Sequence, residues 1–145
     1  MPIRLAARAV LVHRGRLLLV NAWPGGASDL WCAPGGGVAP HDALATTLTR
    51  ELREETGLTV TVGVPCLVNE FHEPDGDFHQ VEVFFRCTLA GGRLDPAWQD
   101  PGGIVTRRRF VAPDEMAGLR VKPDSLPRIA FADGVAYDPL EPLVI

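Results

Sequence analysis

The stretch GGVAPHDALATTLTRELREETGL, residues 36–58, decides the fold. It contains residues 41–56, the one long interval ahead of the C-terminal third that holds neither Gly nor Pro, so the longest helix of that region must lie there. Asp42 ahead of Ala43-Leu44-Ala45 reads as an N-cap and Gly57 after Thr56 as the C′ residue, which gives a helix at about 42–56 with a start and a stop. On a helical wheel, Leu44, Leu48 and Leu52 form one apolar stripe. Glu55 falls about 20° from the centre of that stripe, Glu51 about 60° and Glu54 about 120°, while Arg50 and Arg53 project from the far side. The acids sit beside the core-facing stripe, where a purely solvating charge would not be placed.

This placement is costly. Glu51 with Glu55 and Glu51 with Glu54 are like-charge pairs at i,i+4 and i,i+3, each unfavourable by a few tenths of a kcal/mol on an exposed helix. All three also lie toward the C-terminal end, where the helix dipole disfavours negative charge by about 0.3–1 kcal/mol each. Two readings are open at this point. In one, an Arg50–Glu54 pair and solvent absorb the cost on a charged surface; in the other, a hard cation such as Mg2+ or Mn2+ takes its oxygen ligands from these carboxylates.

Working outward, Gly35-Gly36-Gly37 precede the helix and read as a loop that folds tightly against it, with main-chain N–H groups open to a ligand. Upstream, residues 5–12 and 17–20 are β-prone and flank His13-Arg14-Gly15-Arg16, a hairpin signal; residues 21–30 read as loop and 31–34 as a short extended piece. Downstream, residues 58–73 read as a strand bent at Gly63 and Pro65, 74–77 as a turn and 78–89 as the cleanest strand. Residues 91–103 read as loop, 104–111 as strand, and 113–118 and 124–132 as short helices. The tail 134–145 has no clear assignment. The run of strands with one helix inserted predicts a mixed α/β (α+β) sheet with helices on its faces, in a single domain spanning 1–145.

Composition mostly excludes. The 15 Gly and 13 Pro among 145 residues make about a fifth of the chain, short of the share that marks low-complexity sequence, so they punctuate a folded chain. A formal charge of −4 argues against stable nucleic-acid binding, which needs a basic stripe. A polyanionic ligand would therefore need an imported positive charge. Cys32, Cys66 and Cys87 match no zinc spacing and read as reduced core thiols of a cytoplasmic protein. Residues 1–12 are too short of apolar run for a signal peptide, and no segment approaches a membrane span.

Residues 36–58 closely resemble the Nudix box: Gly36 takes its first Gly, Arg50-Glu51-Leu52 the central triplet, Glu54-Glu55 the acidic pair and Gly57-Leu58 the end. Trp31-Cys32-Ala33-Pro34-Gly35-Gly36 also resembles the Trp-x-x-Pro-Gly-Gly lead-in of that family. Asp42 stands where the family has Glu, and Asn21 where many relatives have a phosphate-contacting Arg or Lys. The resemblance implies a Nudix-type α/β/α sandwich and metal-dependent hydrolysis of a nucleoside diphosphate linked to another group, such as an NTP, ADP-ribose or a related nucleotide. It implies Glu51, Glu54 and Glu55 as metal ligands for Mg2+ or Mn2+, with a backbone carbonyl at Gly35 or Gly36 as an extra. Such chemistry fits an acidic protein, because a pyrophosphate bridge resists attack until a divalent cation neutralises it.

Arg50 is expected to orient Glu51 or Glu54 rather than touch substrate. For the general base, Glu51 and Glu55 come first, with Glu70, Glu73 and Glu82 as candidates outside the box. Trp23, Phe71, Phe78 and Trp98 are candidates for stacking on a base, and His72 and His79 for reaching a phosphate. In Arg107-Arg108-Arg109, alternation sends Arg108 to the face opposite its neighbours, so the run cannot form one clamp and reads as a solvated edge. A second reading is a Nudix domain that binds nucleotides or nucleotide sugars as a regulator without hydrolysing them, and a third is a small α/β protein with an acidic surface helix. The apolar end Leu143-Val144-Ile145 either covers a sheet edge or meets a partner subunit, so a homodimer is compatible with the sequence.

Overall fold

The computed structural model describes residues 2–145. Strand β1 (Arg4–His13) is the axis of the sheet. Along one edge it pairs in parallel with β6 (His79–Gly91), from Arg4 opposite Gln80 to Leu11 opposite Cys87. Its other edge is shared: β4 (Gly35–Gly37) runs antiparallel to Ala6–Arg8, and β2 (Arg16–Asn21) to Val12–His13. The β1–β2 connection is shorter than the sequence suggests, because the strands run on until only Arg14 (φ 51°) and Gly15 (φ 74°) remain, the left-handed pair of a tight hairpin. Beyond β6 lies β5 (Thr59–His72), antiparallel, with its register shifted around Val62, Pro65 and Leu67, the bend expected from Gly63 and Pro65. On the other side β2 pairs with β3 (Leu30–Cys32) and with β7 (Arg108–Val111), and β3 pairs with β8 (Arg120–Val121).

Helix α1 (Leu44–Thr56) covers one face and α2 (Leu126–Ala130) the other, so the layers are helix, mixed sheet, helix, as expected. Strand alternation separates the two cores. Ala7, Ala9 and Leu11 of β1 and Leu18 of β2 pack with Leu48 and Leu52 of α1, whereas Val10, Leu17 and Leu19 pack with Leu126, Ile129 and Ala130 of α2. Leu48, Leu52 and Leu126 are fully buried, so truncating any one of them to Ala would cost about 2–5 kcal/mol.

Four sequence expectations are corrected. Asp42 does not cap α1: it lies exposed in a turn, its N–H bonded to the Ala39 carbonyl, and the N-cap is Ala43, whose carbonyl accepts the first helical bond from Thr47. His41, at φ 72°, turns the chain there and leaves Asp42 one residue too early. The triple glycine is a strand, not a loop. The strand expected at 104–111 begins only at Arg108, because the N–H groups of Ile104 and Val105 go to the Asp100 carboxylate and those of Thr106 and Arg107 to Asn21 Oδ1. The short helix expected at 124–132 shrinks to α2, whereas the one expected at 113–118 is present as a 3-10 helix over those residues.

The tail covers a sheet edge. Strands β9 (Ala136–Tyr137) and β10 (Glu141–Pro142) both add to β5 in parallel, and Leu143 N–H donates to the His72 carbonyl. Among the described residues no helix is long and apolar enough to cross a membrane.

The closest approach in the sheet is at Gly35, where a Cβ would stand 2.0 Å from the Ala7 carbonyl oxygen. Neither backbone can yield without breaking the β1–β4 pairing. Gly35→Ala is expected to lower the unfolding free energy by at least about 2 kcal/mol, read from chemical denaturation.

Candidate functional site

A cavity of about 560 Å3 opens between β4, the acidic side of α1 and the face of β1, β6 and β5 that carries Arg8, Glu82 and Asn69. Glu51, Glu54 and Glu55 all line it, together with Gly35, Gly36 and Gly37. The wheel geometry explains their different environments: Glu55, nearest the apolar stripe, is buried, Glu51 is largely covered, and Glu54 is the most open. Glu55 Oε2 accepts the Gly35 N–H at 2.9 Å, tying helix to strand. Glu51 packs on the next glycine so closely that a Cβ at Gly36 would stand 2.6–2.9 Å from its carboxylate. The two glycines are therefore the surface on which the acids rest. Arg50 lies 3.4 Å from Glu51 and 3.7 Å from Glu54, within ion-pair reach of both.

Burial pushes the Glu55 carboxyl up to about 8; Arg8 and the Gly35 N–H pull the other way, and Glu51 and Asp100 add to the rise. Glu51 is raised too, first by burial, against Arg50 and with help from Glu54. Burial thus disfavours the charged forms of Glu55 and Glu51, and a cation beside them would favour those forms again. Their oxygen donors and backbone rest suit a hard divalent cation. Among the described residues, no three acidic, His or Cys side chains converge to enclose an ion as they stand, since Gly35 engages Glu55 and Arg50 engages the other two.

Glu82, the sheet carboxylate singled out in the sequence, is buried in the same cavity and accepts from Arg8 Nε and Gln80 Nε2. Burial opposes the charge on Arg8, but Glu82, Cys32 and Glu55 outweigh it and the guanidinium is held more firmly protonated than usual. Trp23, Phe71 and Phe78 line the cavity, the two phenyl rings 5.6 Å apart. Cys32 also reaches this wall, and burial pushes its thiol up to about 12 against the pull of Arg8.

Other candidates lie elsewhere. Glu70 faces away from the cavity and accepts the Tyr137 hydroxyl, because alternation along β5 turns Asn69 and Phe71 inward instead. Glu73 sits at the β5–β6 turn, and His72 and His79 face one another across its base, 5.8 Å apart, outside the cavity lining. Trp98 belongs to the end of α1: its Nε1 donates to the Glu54 carbonyl at 2.8 Å, Arg53 lies over its ring, and Gly57 (φ 75°) leaves room for it.

The profile described as NUDIX domain matches residues 2–130. The chain belongs to the Nudix family. With membership comes the family's class of chemistry, hydrolysis of acid anhydrides, for which its enzymes generally use divalent metals. Solved Nudix structures share the fold at low sequence identity. A UDP-X diphosphatase superposes with a TM-score of 0.71 at 19% identity, over 95% of this chain and 68% of that one. An ADP-ribose pyrophosphatase from Streptococcus suis gives 0.69 at 18%, over 94% and 98%, and a MutT protein from Bacillus halodurans 0.71 at 20%, over 93% and 87%. No curated protein matches this Nudix chain at a significant level.

Arg8 and Asp100 escaped sequence reasoning, and Asn21 and Arg108 hold positions other than those expected of them. Arg8 had a signal, since a lone Arg inside an apolar strand must find a buried partner. Asn21 is buried and spends all its hydrogen-bonding capacity, donating to the Trp23 and Ile104 carbonyls and accepting from Thr106 and Arg107 N–H, so the loop it joins is fixed. Arg108 is no solvated edge: alternation does set it opposite Arg107 and Arg109, which lie over Trp31, but it donates to the carbonyls of Glu55, Trp98 and Val105. Asp100 lines the cavity with its carboxylate closed onto three backbone N–H groups.

The raised Glu55 pKa has a signed consequence. Between 4.5, the ordinary carboxyl value, and about 8, the folded protein keeps a proton that the unfolded chain has released, so stability without divalent ions falls as pH rises through that window and levels off above it. Glu55→Gln, which can still accept from Gly35, is expected to unfold later than the parent at about pH 8.5 in chelator, with the gap closing as the pH falls to about 4.5. Thermal denaturation at a series of pH values checks this, since a tenfold difference in proton affinity between the folded and unfolded states is worth at most about 1.4 kcal/mol.

Proposed function

We propose that the protein hydrolyses the pyrophosphate bond of a nucleoside diphosphate linked to another group, an NTP, ADP-ribose or a related nucleotide, in a reaction that requires Mg2+ or Mn2+, with residues 1–145 acting as one domain. The observation that carries this reading is the placement of Glu51, Glu54 and Glu55, resting on Gly35 and Gly36, in one cavity with Trp23, Phe71 and Phe78. The names of the structural neighbours, a UDP-X diphosphatase and an ADP-ribose pyrophosphatase among them, are consistent with it.

Glu51, Glu54 and Glu55, with the Gly36 carbonyl, are the groups that would hold the cation. When bound, it supplies charge neutralisation for the bridging phosphates and a water of lowered pKa. Glu51 or Glu55 takes a proton from the attacking water as its oxygen bonds to phosphorus, and the bridging P–O bond breaks with its electron pair leaving on the departing phosphate. Glu55 is the better placed, because the Gly35 N–H fixes its carboxylate through one oxygen; acting as base with the other, it would leave the cation to Glu51, Glu54 and the Gly36 carbonyl. Glu82 is the weaker candidate, its Oε2 already committed to Arg8 and Gln80. Arg50 keeps Glu51 and Glu54 apart and oriented.

The test is a nucleotide panel assayed with Mg2+ and with Mn2+ at mildly alkaline pH. Glu51→Gln, Glu54→Gln and Glu55→Gln are each expected to lower kcat by at least about 100-fold. Unchanged turnover in Glu55→Gln would remove that residue from the mechanism. Nucleotide binding without turnover of any panel member would favour the regulatory reading. Gly36→Ala separates positioning from stability: the three atoms nearest its Cβ all belong to the flexible end of Glu51, so thermal unfolding should stay close to the parent while activity falls with the displaced carboxylate.

A further inference from the structure

Strand pairing sets three rows of side chains across the cavity floor: Leu67, Phe84 and Arg8; Asn69, Glu82 and Ala6; Phe71, Gln80 and Arg4. In the middle row, Glu82 has its Oε2 taken by both Arg8 and Gln80, and Ala6 and its β4 neighbour Gly37 contribute almost no bulk. Asn69 remains. It is 2% exposed, it lines the cavity, and its Oδ1 is buried with no hydrogen-bond partner. A buried amide oxygen left unpaired costs about 1–3 kcal/mol, which a fold does not carry without compensation. The indole Nε1 of Trp23, another lining residue, is also buried and unpartnered. Beside Asn69 in the floor, Phe71 and Phe78 offer flat apolar surface, with Arg4 over the Phe78 ring.

We infer that Asn69 selects the substrate by pairing its carboxamide with the donor–acceptor edge of a nucleobase lodged in this cavity. A carboxamide presents one acceptor and a pair of donors in a plane, which matches the adjacent donor and acceptor on the edge of a heterocycle. Sugar hydroxyls, which rotate, do not require that planar pairing. The aromatic pair supplies stacking for a flat ring. This deepens the pyrophosphatase reading, because it assigns the base-bearing half of the substrate to the wall opposite in role to the acidic helix; it rests on that reading only for the identity of the pocket's occupant.

The test does not require hydrolysis. Binding of the four common ribonucleoside 5′-monophosphates and of ribose 5-phosphate is measured by calorimetry in chelator, for the parent, Asn69→Leu and Asn69→Asp. The parent should bind at least one nucleotide about tenfold more tightly than ribose 5-phosphate and rank the bases. Asn69→Leu, equal in shape and free of the orphan, should unfold later than the parent and lose the ranking; Asn69→Asp should change which base ranks first. Parent affinities equal to that of ribose 5-phosphate, or a ranking kept in both variants, would overturn the assignment while leaving the hydrolysis reading to its own assay. An earlier unfolding of Asn69→Leu with the ranking intact would make Asn69 a structural residue and likewise overturn it.

Discussion

The hydrogen bond from Gly35 N–H to Glu55 is the tie on which the site depends. It takes a carboxylate that the wheel places almost on the apolar stripe of α1 and gives it a donor inside the protein, so that the acid can be buried without being abandoned. The tie demands a backbone that approaches both β1 and the helix, and at position 35 only a residue without Cβ allows it, because Gly35 lies against the Ala7 carbonyl; Gly36 beside it leaves the room that the Glu51 carboxylate occupies. Burial of Glu55 then raises its pKa, and Arg8, anchored by Glu82, partly answers that charge from the sheet. One short contact thus connects strand pairing, helix placement and the electrostatics of the cavity.

The same helix is held at its C-terminal end by groups far away in sequence. Trp98 takes the Glu54 carbonyl and Arg108 the Glu55 carbonyl, while Arg53 and the left-handed Gly57 finish the last turn. The acids occupy the end of the helix where the dipole opposes them, and these donors neutralise the carbonyl charge that the acids would otherwise face. The segment around residues 95–108 therefore serves as a cap for α1, a role for the Gly- and Pro-rich stretch that composition alone did not disclose.

Local signals in the chain explain what could be read from it. The helix, its acidic side and the hairpin were legible because Gly, Pro and 3.6-residue periodicity act within a few residues. Asp42 was misread because a capping side chain and a turn side chain look alike in sequence, and the left-handed His41 that separates them carries no residue-type signature. The backbone donors of 104–107 were misread as strand donors because their acceptors, Asp100 and Asn21, come from a turn and from another strand. Asn69 and Glu70 were indistinguishable until the phase of β5 was set by its bulges, and that phase turns one into the cavity and the other out of it.

Pro142, Leu143 and Val144 line the same cavity as the acids, yet they lie beyond residue 130, where the match to the family ends. Strands β9 and β10 carry this wall to the edge of β5 by only two residues of pairing each. The acids therefore lie inside the stretch matched to the family, whereas three residues that shape the space around them lie beyond it. The segment pairs with β5 alone and not with β1 or β4, so a change of side chain at Leu143 or Val144 reshapes the cavity wall while leaving the Gly35–Glu55 tie in place.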